Sequence, residues 1–120
     1  MKFTVKKPIP GFENVNEVEL SKVDESIAVL KDNEGRALFS LINPFVLREY
    51  SFDVPADVKA LLDINENSNI EVYNNIVMKD PVTESVVNFK APFLFNLDNN
   101  TCAQVVLGEE KFAKLGDFIK

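Results

Sequence analysis

The sequence predicts an all-β protein, mostly antiparallel, whose coiled sheet is barrel-like and carries one or two short helices. Three observations support this. Short apolar runs alternate briskly with turn residues along the chain, a pattern of antiparallel strands. Period-two alternation recurs, as where Tyr50, Phe52 and Val54 are separated by Ser51 and Asp53. Helical periodicity is confined to two short stretches, and the roughly nine strands, broken by Pro and Asn, cannot all lie in one flat sheet.

Taken in order, residues 3–5 read as a first strand, ended by Pro8, Pro10 and Gly11. Residues 15–20 follow as a strand in which Val18 and Leu20 alternate with acids. Residues 27–31 and 37–42 form a hairpin around Asp32-Asn33-Glu34-Gly35, where Asn33 and Gly35 tolerate positive φ. Pro44 stops the second arm, and 50–54 reads as a half-buried strand. The one good helix candidate is 56–62, with Val58, Leu61 and Leu62 on one face. It is about two turns long, so packing must stabilise it.

A long strand is expected over 70–78, with Asn74 and Asn75 at an irregularity in its middle. Strands over 85–90 and 93–97 are split by Ala91-Pro92, and Pro92 marks an edge, corner or bulge because it has no N–H for a ladder. Asp98-Asn99-Asn100 turns the chain into a last strand over 101–107. The tail, 109–120, has the spacing of a short amphipathic helix through Phe112, Leu115 and Ile119, interrupted by Gly116. No repeat or linker divides the chain, so a single domain over 1–120 is expected.

Composition excludes several function classes. The 120 residues carry a net charge of −6. A nucleic-acid surface needs clustered Lys and Arg to displace phosphate counterions, and only Lys2, Lys6 and Lys7 approach a cluster. An acidic surface suits a basic protein partner, or simply keeps a small protein soluble. The single Cys102 cannot form an internal disulfide, and no apolar stretch has the length of a signal peptide or membrane span. A cytoplasmic location is expected, with neither membrane nor nucleic acid as a direct partner.

Catalysis is disfavoured because there is no histidine. That removes the commonest general base and metal ligand, and leaves no Ser-His or Cys-His pair. Zinc sites of Cys and His are excluded, and four dispersed glycines make no phosphate loop. The adjacent acids Asp24-Glu25 and Glu109-Glu110 sit beside turn residues and read as solvated loop carboxylates. Cys102, among apolar neighbours, reads as an inert core residue. No enzyme activity, cofactor or metal is expected.

Three segments together resemble the FliW family. The first is Ile9-Pro10-Gly11-Phe12-Glu13. The second is Leu41-Ile42-Asn43-Pro44-Phe45, followed by Glu49-Tyr50-Ser51-Phe52-Asp53-Val54-Pro55 and the short helix. The third and most specific runs from Val87-Asn88-Phe89-Lys90-Ala91-Pro92 to Phe93-Leu94-Phe95-Asn96-Leu97, then Gln104-Val105-Val106-Leu107. Here Asn88, Ala91, Pro92, Asn96 and Gln104 fall in the family's order and spacing. The resemblance spans about residues 9 to 107, and the tail lacks a family pattern. It implies a flagellar assembly factor that binds flagellin near its C-terminal helical end and antagonises the translational repressor CsrA by partner switching.

Candidate partner-binding positions on this resemblance are Pro44, Phe45, Asn88, Asn96 and Gln104. Each has a structural alternative. Phe45 could be core, Asn88 and Asn96 could satisfy backbone left open by Pro92, and Gln104 could point out from an ordinary sheet face. Without the resemblance, the residues imply only an acidic β interaction module.

Overall fold

A computed structural model describes residues 1–108 and 110–118. Strand β1 (Lys2–Val5) buries Phe3 and leaves Lys2 and Thr4 exposed, as period-two alternation requires. The Ile9-Pro10-Gly11-Phe12 segment is a tight turn. Phe12 N donates to Ile9 O at 2.8 Å, and Gly11 takes φ +84°, a value glycine reaches without a Cβ clash. Val15, expected to open the next strand, instead donates back to Phe12 O at 3.0 Å, and the ladder begins two residues later.

Strands β2 (Glu17–Lys22), β3 (Ile27–Lys31) and β4 (Ala37–Ile42) form an antiparallel meander. The expected hairpin at 32–35 is fixed by Asp32, whose Oδ1 accepts from the backbone N–H groups of Glu34 and Arg36, both at 2.9 Å. After α1 (Ala56–Leu62) come β5 (Ile70–Val77), β6 (Val86–Asn88), β7 (Phe93–Asn96), β8 (Thr101–Gln104) and β9 (Phe112–Lys114).

The ring β4-β3-β2-β1-β8-β7-β5 closes on itself because β5 also pairs with β4, giving a seven-stranded barrel. Its ladders are antiparallel except β1 with β8, where Thr4 and Val5 lie beside Thr101 and Cys102 in parallel. β6 and β9 hang from β5 outside the ring. β7 takes one edge of β5 over Ile70–Tyr73, and β6 resumes that edge at Ile76 and Val77.

The barrel interior is filled by Phe3, Leu30, Leu41, Phe93, Phe95, Cys102 and their neighbours. β7 is buried at all four positions because both its faces are covered. Phe93 and Phe95 point into the barrel, whereas Leu94 packs under α1 with Val58, Leu62, Ala103 and Val105. That second layer is what stabilises so short a helix. A third cluster, Ile42, Tyr50, Ile76, Val87 and Phe89, lies beneath the β6–β9 flap.

Two sequence expectations require correction. Residues 50–54 form no strand. Tyr50, Phe52 and Val54 do turn toward the core clusters while Ser51 and Asp53 are exposed, but the segment has no ladder partner. The tail is not helical within the described residues. It forms β9, paired with β6 from Val86↔Lys114 to Asn88↔Phe112, then a 3-10 turn at Leu115–Asp117. β6 would otherwise present an open edge of backbone groups, and pairing satisfies them. Gly116 permits the close return: a Cβ there would lie 2.9 Å from Thr83 O. Ile119, the last apolar position of the expected helix, lies outside the described residues.

Candidate functional site

The break between β6 and β7 is built from polar side chains. Asn88 Oδ1 accepts from Lys90 N at 2.9 Å and Ala91 N at 3.2 Å, closing the turn before Pro92. Gln104 Nε2 donates to Ala91 O at 3.1 Å from the facing strand. On the other side, Asn74 Nδ2 donates to Asn88 O at 2.8 Å, and Tyr50 Oη donates to Phe89 O at 2.6 Å. Asn74 thus fills the point on β5 where one neighbour strand ends and the next begins. Burial raises the Tyr50 phenol above its ordinary value, which keeps it a hydrogen-bond donor.

Asn96 belongs to a different construction. It is 1% exposed, and its Nδ2 donates to Leu62 O, the last residue of α1, at 2.9 Å. Asn99 Nδ2 donates to the same carbonyl at 2.8 Å. The helix end, which turns through a left-handed Asp63 at φ +54°, is therefore capped from the β7–β8 turn. The structure brings Asn88 and Gln104 together and leaves Asn96 apart from them.

Pro44 and Phe45 lie in a one-turn 3-10 segment, Pro44–Val46, held by Asn43 Oδ1 accepting from Phe45 N at 3.0 Å. Pro44 is buried, and Phe45 is 54% exposed with Val46 exposed beside it. The Phe45 ring leans on Tyr50 at 6.4 Å between centroids, so the exposed turn touches the aromatic network that supports the Pro92 corner.

Electrostatically the molecule is a closed frame with acidic loops. Asp24, Asp32 and Asp98 sit below their ordinary range because their carboxylates accept backbone N–H groups at turns. Asp24 and Asp32 anchor their own turns, and Asp98 ties the β7–β8 turn to Asn69 just before β5. Cys102 is fully buried in the barrel, and burial pushes its thiol up to about 12. Among the described residues no three His, Cys, Asp or Glu side chains converge as a metal site.

The family model described as the FliW protein matches residues 1–114. The chain belongs to the FliW family. Flagellar assembly factor FliW 2 of Wolinella succinogenes is 44% identical over 97% of this chain and 86% of its own length. Flagellar assembly factor FliW of Sulfurimonas denitrificans is 49% identical over 91% of this chain and 87% of its own. FliW 1 of Wolinella succinogenes is 47% identical over 89% and 84%. A crystal structure of a flagellar assembly factor FliW superposes with a TM-score of 0.86 at 23% identity, covering 95% of this chain and 84% of that one, and establishes the shared fold. FliW proteins are non-enzymatic, and this member is accordingly not an enzyme.

Within the FliW frame, sequence reasoning missed two features. Arg48 lies over the Phe89 ring at 4.2 Å and the Tyr50 ring at 5.3 Å, and its Nη2 reaches Glu110 Oε2 at 2.6 Å. The Arg48–Glu110 pair ties the loop after the Pro44–Val46 turn to the segment preceding β9 across 62 residues, a separation no local pattern reveals. Lys22 Nζ meets Glu71 Oε2 at 2.8 Å across 49 residues, between the end of β2 and the start of β5. Lys22 lies beyond the strand expected over 15–20, and nothing local in either segment signals the pair.

Proposed function

We propose that this protein is a cytoplasmic flagellar assembly factor. It binds flagellin through flagellin's C-terminal helical end and antagonises the repressor CsrA by partner switching. The observation that carries this reading is near-full-length similarity to curated relatives named as flagellar assembly factors. Location in the cytoplasm agrees with one buried cysteine and with the lack, among described residues, of a helix long and apolar enough to cross a membrane.

Physical features support the two partner types. An amphipathic helix needs an apolar surface to cover its stripe, and the Phe45 and Val46 side chains offer one on a rigid turn. A repressor that holds RNA must be basic, and a net charge of −6 speeds encounter with it. Of the candidate contact positions, Phe45 touches the partner and Pro44 fixes its turn. Asn88 and Gln104 hold the Pro92 corner against which the aromatic network rests, and Asn96 holds α1. Competition then follows from mass action: occupancy by one partner frees the other.

Calorimetry tests this with the purified protein and the C-terminal segment of flagellin from the same organism, with and without saturating CsrA. Tight binding that CsrA weakens, and that Phe45→Ala weakens by about tenfold, is expected. Binding indifferent to CsrA would reduce the role to a flagellin chaperone. No binding to either partner would leave a generic acidic β-barrel interaction module.

A further inference from the structure

The barrel is incompletely zipped at one seam. β4 pairs with β5 only from Asn74 to Ile76, and the chain then leaves the sheet at Pro44. β5 continues to Ile70 with β7 on one side and, among the described residues, no strand on the other. Ladder parity says which groups are left. Leu97 N donates to Asn69 O at 2.9 Å, so residues 69, 71 and 73 turn their backbone groups toward β7. Ile70 and Val72 therefore direct N–H and C=O to the open edge.

That edge borders a cleft of about 160 Å³ lined by Asn43, Phe45 and residues 70–73. It shares Asn43, Glu71 and Tyr73 with a wider cleft of about 500 Å³ that extends to Lys22, Asp24 and Glu25. The charges along this groove are three carboxylates, Asp24, Glu25 and Glu71, against the single ammonium of Lys22. Glu71 Oε2 is bonded to Lys22, but its Oε1 is buried and has no hydrogen-bond partner among the described residues. A buried carboxylate oxygen without a donor is costly, and an incoming donor would relieve it.

We infer that this seam is a strand-addition site. Its occupant is an extended segment of a partner protein carrying Lys or Arg. The segment pairs with the backbone of Ile70 and Val72, places a cationic side chain on Glu71 Oε1, and lays an apolar side chain against Phe45. Main-chain bonds supply affinity and the carboxylates select charge, as in other additions to a sheet edge. The inference stands whether or not flagellin or CsrA is the partner.

The test uses the whole protein and a synthetic peptide alternating valine with lysine, with a peptide alternating valine with glutamate as control. The readouts are amide chemical shifts and hydrogen exchange. The lysine peptide is expected to shift the Ile70–Tyr73 amides, slow exchange at Ile70 and Val72 by at least ~10-fold, and lose affinity in high salt. Glu71→Gln, which keeps the shape and a bond to Lys22, is expected to weaken binding by about tenfold. Glu25→Gln, on an exposed loop, is a second variant without folding risk and should weaken it less. Equal binding of the glutamate peptide would overturn the inference. So would shifts confined to other strands, or no binding at low salt. Concentration-dependent protection of Ile70 and Val72 without peptide would assign the seam to a second copy of this chain and overturn it as well.

Discussion

Tyr50→Phe isolates one hydroxyl in the support of the Pro92 corner. The ring contacts with Phe52 and Phe89, each at 5.4 Å, and the Arg48 stack survive the change, so no cavity opens. What disappears is the 2.6 Å bond to the buried Phe89 carbonyl and a weaker 3.3 Å bond from Asn74 Nδ2. Asn74 Nδ2 keeps its 2.8 Å bond to Asn88 O, so the orphan is the Phe89 carbonyl. Leaving one buried acceptor unsatisfied costs about 1–3 kcal/mol. With an unfolding entropy of about 2.1 cal/mol/K per residue, a chain of 120 residues loses roughly 4–12 °C in Tm. Urea denaturation should show a lower midpoint at unchanged slope. A loss below about 0.5 kcal/mol would refute the reasoning, because it would mean that the Phe89 carbonyl finds another donor at no cost.

Other perturbations have equally definite outcomes. Leu62→Ala empties a fully buried site beneath α1 and should cost about 2–5 kcal/mol in the same assay. Ellman's reagent should leave the native Cys102 thiol unreacted and titrate it fully in denaturant, since the residue is 0% exposed and its thiolate is disfavoured up to about 12. Asp24, Asp32 and Asp98 have folded values below the ordinary 3.8, so their stabilisation is present above that pH and is lost as pH falls through the folded values. Urea midpoints should therefore drop on acidification below about pH 4, and Asp98→Asn should shrink that drop.

Much of the fold could be read directly. The helix forms over Ala56–Leu62 and buries Val58 and Leu62, although Leu61, read on the same face, is exposed, and the β3–β4 hairpin turns on Asp32 and Gly35. Where reading failed, the deciding partner was distant. The 50–54 alternation marks which side chains face inward, and those side chains do; alternation cannot say whether another strand lies alongside. Phe112 and Leu115 have a spacing compatible with a helix, but the free edge of β6 drew that segment into a ladder. Asn88 satisfies backbone beside Pro92 as the sequence allowed, but its companion there is Gln104, read as able to point out from a sheet face. Asn96, expected at the same corner, answers to a helix end 34 residues earlier. The Lys22–Glu71 bridge and the Arg48–Glu110 clasp exist only after closure brings remote segments together.

The parallel contact between β1 and β8 bears on the order of synthesis. Thr4 and Val5 leave the ribosome 97 residues ahead of their partners Thr101 and Cys102. Until then a meander of β1 to β4, if paired, has β1 as a bare edge, because β1's second neighbour is β8. The ring therefore completes only once β8 has been made, and a chain truncated before Thr101 would present that edge to any neighbour.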